Sequence, residues 1–234
     1  MSEGAFREVW EERAEEWIRW ARSRELDFGF WELGLPALLE LVPPPGRLTL
    51  DIACGEGRLS RELARLGHRV IGIDSAPSLL AAARAADPEA ELLLADAAAI
   101  PLQDGAADLA VASMALMTVD DVPAVVAEAA RVLAPGGRFL ITLLHPVDTW
   151  ADAGGSYFEQ SAFDKDLVRA GAHMTFRDAH RPLSAYARAL EEAGFAIERL
   201  REPEPDERYF RRHPDAERLR GRPFLLHLRA VRPT

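Results

Sequence analysis

The chain has a single cysteine, Cys54, among 234 residues, so no bridge within the chain can staple its fold and an oxidising compartment is not implied. No apolar run is long enough to span a bilayer, which argues against a membrane partner. Residues 1–8 lack the basic opening, apolar run and small-residue cleavage site of a secretory signal, so the expected location is the cytoplasm. Positive charge is also scarce: 28 Lys and Arg face 38 Asp and Glu, for a formal charge of −10 and a pI near 5.2. That balance opposes a nucleic-acid partner, because affinity for phosphates comes from clustered basic side chains. No group of histidines, cysteines and carboxylates has metal-ligand spacing, so no metal is expected. A small-molecule partner remains, and nothing in the sequence speaks to oligomeric state.

What is present suffices for one sizeable core, with 48% of residues hydrophobic. Phe6, Trp10, Trp17 and Trp20 recur at helical spacing, which predicts an amphipathic helix over 6–24 whose indoles need an apolar cover. A second helix is predicted over 31–42, stopped by Pro43-Pro44-Pro45-Gly46. Strand and helix patterns then alternate: strands at 48–53, 70–73, 92–95, 107–114 and 138–144, and helices at 58–66, 77–86 and 122–133. Strands apolar on both faces, separated by helices, predict a doubly wound parallel α/β sheet. The alternation breaks after His145. Residues 146–181 carry scattered aromatics and mixed charge without strand periodicity and read as an insertion or cap. A helix over 183–193 ends at Gly194, and strands follow at 195–200 and 224–231 around a polar connection, 201–222. The expected organisation is an N-terminal helical lid, 1–45, on an α/β domain, 46–234, with a cap insertion at 146–182.

The segment from Leu48 to Arg58 runs from an apolar strand through a glycine turn into a helix. Gly55 and Gly57 let the backbone approach a ligand, at the strand ends where open α/β sheets bind them. Gly-x-Gly alone is weak evidence, and Asp51 sharpens it. A dinucleotide pyrophosphate is met at such a turn by backbone amides and a helix N-terminus, whereas a carboxylate favours a cation. The third glycine of a dinucleotide fingerprint is absent, since Ser60 stands in its place. Asp74 ends the next strand about twenty residues beyond the turn, the separation at which an acid takes both ribose hydroxyls. Asp96-Ala97 ends the third strand, where a carboxylate and an amide can read adenine. S-adenosylmethionine suits these groups, having a ribose, an ammonium and a sulfonium but no phosphate.

In this order the motifs resemble the class I methyltransferases over residues 48–145: the Asp-Ile-Ala-Cys-Gly-Glu-Gly turn, Asp74-Ser75, Asp96-Ala97, the strand Ala107-Asp108-Leu109-Ala110-Val111, and Leu133-Ala134-Pro135-Gly136-Gly137-Arg138-Phe139. The resemblance implies a Rossmann-like, seven-stranded, mostly parallel sheet whose last strand is antiparallel. It also implies S-adenosyl-L-methionine contacts from Asp51, Ala53, Cys54, Gly55, Gly57, Asp74, Ser75, Asp96, Ala97, Ser113 and Met114. A bacterial small-molecule subgroup is similar outside this core, through Trp10 with Trp17, His145-Pro146 and the segment His180 to Tyr186.

Each assignment has a plainer rival. Asp51, Asp74 and Asp96 can cap helices or form turns, and Cys54 reads more readily as a buried filler than as a nucleophile. Trp10 and Trp17 divide between core packing and a lid that touches substrate. Arg13 can reach a carboxylate from its helix or remain a surface charge. His145, leaving the fifth strand at the ligand-binding edge, is the candidate catalytic residue, as a general base, a substrate partner or a structural histidine. Tyr157 and His180 flank the cap as candidate substrate contacts. Two other functions stay in view: a non-catalytic binder of S-adenosylmethionine, and a nicotinamide-dependent oxidoreductase, which Asp51 and Ser60 disfavour.

Overall fold

The structure is a computed structural model that describes residues 5–234. It opens with helices α1 (Ala5–Glu12) and α2 (Ala14–Arg22), a π-helical turn at Gly29–Gly34 and α3 (Leu35–Leu39). The alternating units follow as β1 (Thr49–Ile52), α4 (Arg58–Arg65), β2 (Val70–Asp74), α5 (Pro77–Ala86), β3 (Glu91–Leu94), β4 (Ala107–Ser113), α6 (Val122–Val132) and β5 (Leu133–Leu144). Then come α7 (Pro146–Ala153), β6 (Ser161–Arg169), β7 (Ala172–His180), α8 (Leu183–Glu192), β8 (Ala196–Arg201), α9 (Glu207–Arg212) and β9 (Leu225–Val231).

Seven strands form one sheet in the order β3-β2-β1-β4-β5-β9-β8. All neighbours are parallel except β9, which runs antiparallel to both β5 and β8. The doubly wound, Rossmann-like sheet with its antiparallel last strand agrees with the sequence reading. Leu50, Ile52, Phe139 and Ile141 are sealed between the sheet and α6 and α8, which is why the central strands read as continuous apolar runs. The chain leaves β3 at one edge and re-enters as β4 on the far side of β1, so a crevice opens at the carboxyl ends of β1 and β4.

Four elements depart from expectation. The helix over 6–24 breaks at Arg13 (φ −98°, ψ 12°), whose guanidinium donates to Thr175 O (3.0 Å) and Asp164 Oδ1 (3.2 Å) across the chain. The segment before Pro43 is not part of a lid: Phe30, Leu35, Leu38 and Leu41 pack on Leu63, Leu109, Val111 and Leu140, making it a layer on the sheet. The cap insertion holds regular structure, an antiparallel β6–β7 hairpin closed by a two-residue turn, Ala170 and Gly171, both at positive φ. The polar connection 201–222 folds into α9 and a 3-10 turn at Pro214–Leu219, burying Tyr209, Phe210 and Leu219 beside Phe28.

The N-terminal helices are docked on that hairpin. Trp20, 1% exposed, sits among Leu26, Met174 and the edge of Phe176 (5.6 Å between ring centres). Replacing Trp20 by Ala should cost about 3–5 kcal/mol of folding stability, read as a lower denaturant midpoint. A loss near zero would mean that α2 is not held there.

Candidate functional site

A cleft of about 610 Å³ opens at the carboxyl edge of the sheet, and Asp51, Ala53, Cys54, Gly55, Asp74, Ser75, Asp96, Ala97, Ser113 and Met114 all line it. Its floor is the turn after β1. Ala53 (φ 56°), Gly55 (φ 58°) and, after β4, Met114 (φ 56°) sit in the left-handed region, a cost that the two non-glycine residues carry only because their surroundings enforce it. Asp74 fastens the first of these turns, its Oδ2 accepting from the Gly55 N–H at 2.7 Å and its Oδ1 from the Ala76 N–H at 2.9 Å, while the Met114 N–H donates to Thr142 O at 2.7 Å. One carboxylate thus fastens the β1 turn and begins α5. Beneath it Asp51 accepts from Ser60 Oγ at 2.6 Å.

The electrostatics of the cleft are those of a cation site. Burial pushes the Asp51 carboxyl up to about 7, with repulsion from Asp74 adding to it and the Ser60 hydrogen bond opposing. Burial likewise raises Asp74, against the hydrogen bonds from Ala76 and Gly55. Among the described residues neither acid has a basic partner at ion-pair distance. Two buried carboxyls in want of positive charge and hydroxyl donors fit an ammonium and a ribose, and do not fit a pyrophosphate. Asp96 lies at the exposed rim, accepting from the Ala98 N–H at 2.8 Å. Cys54 lines the cleft with its side chain buried against β2: burial raises its thiol well above the ordinary value, and its sulfur lies 2.9 Å from where a Cβ at Gly72 would stand. Gly57 lies outside the cleft. A Cβ there would meet Ala83 Cβ at 3.2 Å, so this glycine lets α4 pack against α5.

A second, inner cavity of about 120 Å³ shares Trp10, Trp17, Arg58, Ser113 and Met114 with the cleft. Trp10 and Trp17 meet edge to face at 5.5 Å, and Trp17 Nε1 is 3.3 Å from where a Cβ at Gly55 would lie, so the indole closes onto the turn because that residue is glycine. Arg58 lies 3.5 Å over the Phe30 ring and bonds Asp27 at 2.6 Å. Two clasps hold the N-terminal helices over the cleft: Arg22 with Glu56 (2.8 Å), and Ser78 Oγ donating to Glu11 (2.6 Å). Its walls include Trp20, Phe28, Leu144, Leu167 and Phe176, with Lys165, Arg169, Asp178, Tyr209 and His227 among its polar groups. None of those five had been singled out from the sequence. Four come from the hairpin and from α9, where no regular structure was expected, and the fifth, His227, lies on β9, where burial lowers it to about 4 and holds it neutral.

The structure places three other candidates elsewhere. His145 lines neither cavity: it caps α7, with Nδ1 accepting from the Val147 N–H (3.1 Å) and Nε2 3.0 Å from Glu202 Oε1. Both ring nitrogens are engaged, burial lowers its pKa against the pull of Glu202, and the ring braces the start of α7. His180 is fully buried between Thr149 Oγ1 and the Tyr157 carbonyl (both 2.9 Å), and the Tyr157 hydroxyl accepts from the Leu183 N–H at 3.1 Å. These two residues tie the segments of the cap to one another and to the start of α8, and line neither cavity. Arg13 is spent on the hairpin, as described above.

A doubly wound sheet with this strand order, an acid-bearing glycine turn at its switch point and a second acid ending β2 defines the class I S-adenosylmethionine-dependent methyltransferase fold. Residues 50–141 match the family described as methyltransferase domain. The malonyl-[acyl-carrier protein] O-methyltransferase of Serratia marcescens is 39% identical over 100 residues, covering 43% of this chain and 39% of that protein. The ubiquinone/menaquinone biosynthesis C-methyltransferase UbiE of Caulobacter vibrioides is 32% identical over 113 residues, covering 43% and 45%. The chain thus spans less than half the length of these two curated relatives. A crystal structure of an S-adenosylmethionine-dependent methyltransferase from Mesorhizobium loti superposes with a TM-score of 0.67 at 27% identity, covering 84% of this chain and 96% of that one. Residues 50–141 thus resemble a methyltransferase domain, and the acids of the cleft fit S-adenosylmethionine as its cofactor. No helix among the described residues is long and apolar enough to cross a membrane.

The raised pKa of Asp51 has a signed consequence. Its stability contribution is fully present below the ordinary carboxylate range and is lost as pH rises through about 7, where a buried negative charge appears. A ligand ammonium stabilises that charge, so affinity for S-adenosylhomocysteine should rise roughly tenfold between about pH 5.5 and 8. The Asp51→Asn variant should bind more weakly with a flat profile, and calorimetric titration at several pH values checks both. A flat wild-type profile would remove Asp51 from the ammonium site.

Proposed function

We propose that the chain transfers the methyl group of S-adenosylmethionine to a small acceptor with an apolar ring, held in the inner cavity beneath Trp10 and Trp17. The observation that carries this reading is the wall common to the two spaces: Ser113, Met114, Trp10 and Trp17 belong to both. A molecule in the inner cavity is therefore the neighbour of one in the cleft. The cofactor supplies an activated methyl group on a sulfonium, which leaves the protein to align the acceptor and exclude water.

This chain's residues are suited to those two tasks. Trp20, Phe28, Phe30 and Phe176 offer ring faces and edges to a planar acceptor. Trp10 and Trp17 close the way to solvent, and entry would proceed by release of the Arg22–Glu56 and Glu11–Ser78 clasps. On this reading α1 and α2 are the lid, while residues 29–42 stay with the sheet. The names of the two relatives describe O- and C-methylation, so kinship leaves the acceptor atom open.

Titration should give saturable binding of S-adenosylhomocysteine and none of NAD at comparable concentration. Labelled methyl should pass from S-adenosylmethionine to single-ring compounds, and the Leu167→Trp variant, which fills the inner cavity alone, should abolish transfer while leaving S-adenosylhomocysteine affinity within about twofold. NAD binding of similar strength, or undiminished transfer in Leu167→Trp, would overturn the proposal.

A further inference from the structure

We propose that the Asp178 carboxylate receives the proton of the acceptor's hydroxyl, and that the acceptor is accordingly a single-ring phenol. This builds on the methyltransferase reading and adds the substrate class and the proton's destination. Asp178 lies on β7 opposite Phe163, and the strand alternation puts it on the inward face with Lys165, Leu167 and Phe176. It is 3% exposed, lines the inner cavity, and accepts no hydrogen bond from any described residue. Two cations nearby in the wall are otherwise engaged, Lys165 with Asp152 and Arg58 with Asp27. A buried carboxylate left without a donor costs free energy that a ligand donor recovers.

Position and chemistry then select the ligand. Three residues beyond Asp178, Arg181 donates to Leu116 O (3.1 Å) and Val119 O (2.6 Å), fastening the end of β7 to the turn that follows Met114. The strand that carries Asp178 therefore ends against the turn that follows Met114, a residue of both spaces. The wall carries Arg58, Lys165, Arg169 and Arg218 against Asp27, Asp178 and Asp215, so an ammonium enters a wall with an excess of positive charge, whereas a hydroxyl brings no charge. The size of about 120 Å³ is close to the roughly 150 Å³ of a protein cavity that holds one benzene ring. Tyr209 and Trp10 also line this space, and their Oη and Nε1 atoms are buried without a hydrogen-bond partner among the described residues.

The step balances within the two sites. As the phenolic O–H bond breaks, the proton passes to Asp178, and an oxygen electron pair forms the new O–C bond to the methyl carbon. The C–S bonding pair stays on sulfur and neutralises the sulfonium. Burial pushes Asp178 up to about 7, with Lys165 opposing and Asp152 and Asp164 reinforcing, which suits a group that must take and return a proton near neutrality.

Phenol, anisole and benzylamine serve as probes, titrated into the protein with and without saturating S-adenosylhomocysteine. Phenol should bind at least about tenfold more tightly than anisole, the charge-assisted hydrogen bond making the difference. In Asp178→Ala that ratio should fall to within about twofold, with S-adenosylhomocysteine affinity retained as the sign of an intact fold. The isosteric Asp178→Asn, which can accept a hydrogen bond but not a proton, should still bind phenol yet methylate it some 10²–10⁴-fold more slowly. Equal affinities for phenol and anisole in the wild type, benzylamine binding more tightly than phenol, or no phenol binding at all would overturn the proposal. If S-adenosylhomocysteine itself fails to bind, the underlying reading falls, and the phenol-to-anisole ratio without it still decides Asp178.

Discussion

The Asp74 carboxylate, accepting from the Gly55 N–H at 2.7 Å, is the contact on which the site depends. The turn after β1 places Ala53 and Gly55 in a backbone conformation that an isolated chain would leave, and a buried, charge-assisted bond from the neighbouring strand keeps them there. The same carboxylate begins α5, so the glycine turn, the end of β2 and the next helix share one anchor. Holding that acid out of water raises its pKa and that of Asp51 beside it, and the stored cost is what a cationic, hydroxyl-bearing ligand relieves.

The acceptor side obeys a different constraint. Strand ends alone would leave an open crevice, and the enclosure comes from three segments outside the alternating core: α1 with α2, the β6–β7 hairpin, and α9 with its following turn. Each is fastened to another. Arg13 joins α2 to β7, Arg169 donates to Leu26 O at 2.5 Å while lying over the Phe28 and Trp20 rings, and Tyr209 packs edge-on to Phe28. The walls are mostly apolar, and the charges kept among them include Arg58, Lys165, Arg169 and Asp178.

How far this was legible in the sequence follows from where side chains must point. The central strands declared themselves because both faces are covered, and the cleft acids did so because a carboxylate beside glycines opposes phosphate. The hairpin hid because its inward positions alternate Phe163, Lys165, Leu167 and Arg169, so that a charge falls at every second core position, while Val168 faces out. Its turn, Ala170-Gly171, lacks the asparagine or aspartate that usually marks such a bend. His145 misled for a related reason. Its position at the end of β5 is that of a ligand contact, but Pro146 starts a helix there and the ring turns back to cap it. Asp178 carries no motif at all, and only the pairing of β7 with β6 shows that it faces a cavity.

The central claim is that cofactor and acceptor spaces meet at Ser113 and Met114 beneath the two indoles. It is tested most directly by nuclear Overhauser contacts from the labelled methyl of bound S-adenosyl-[methyl-13C]methionine. The account predicts contacts to the side chains of Met114 and Trp17, on the wall common to the two spaces. Contacts confined to the outer rim at Asp96, Ala97 and Ala98 would place the methyl away from the inner cavity and contradict it.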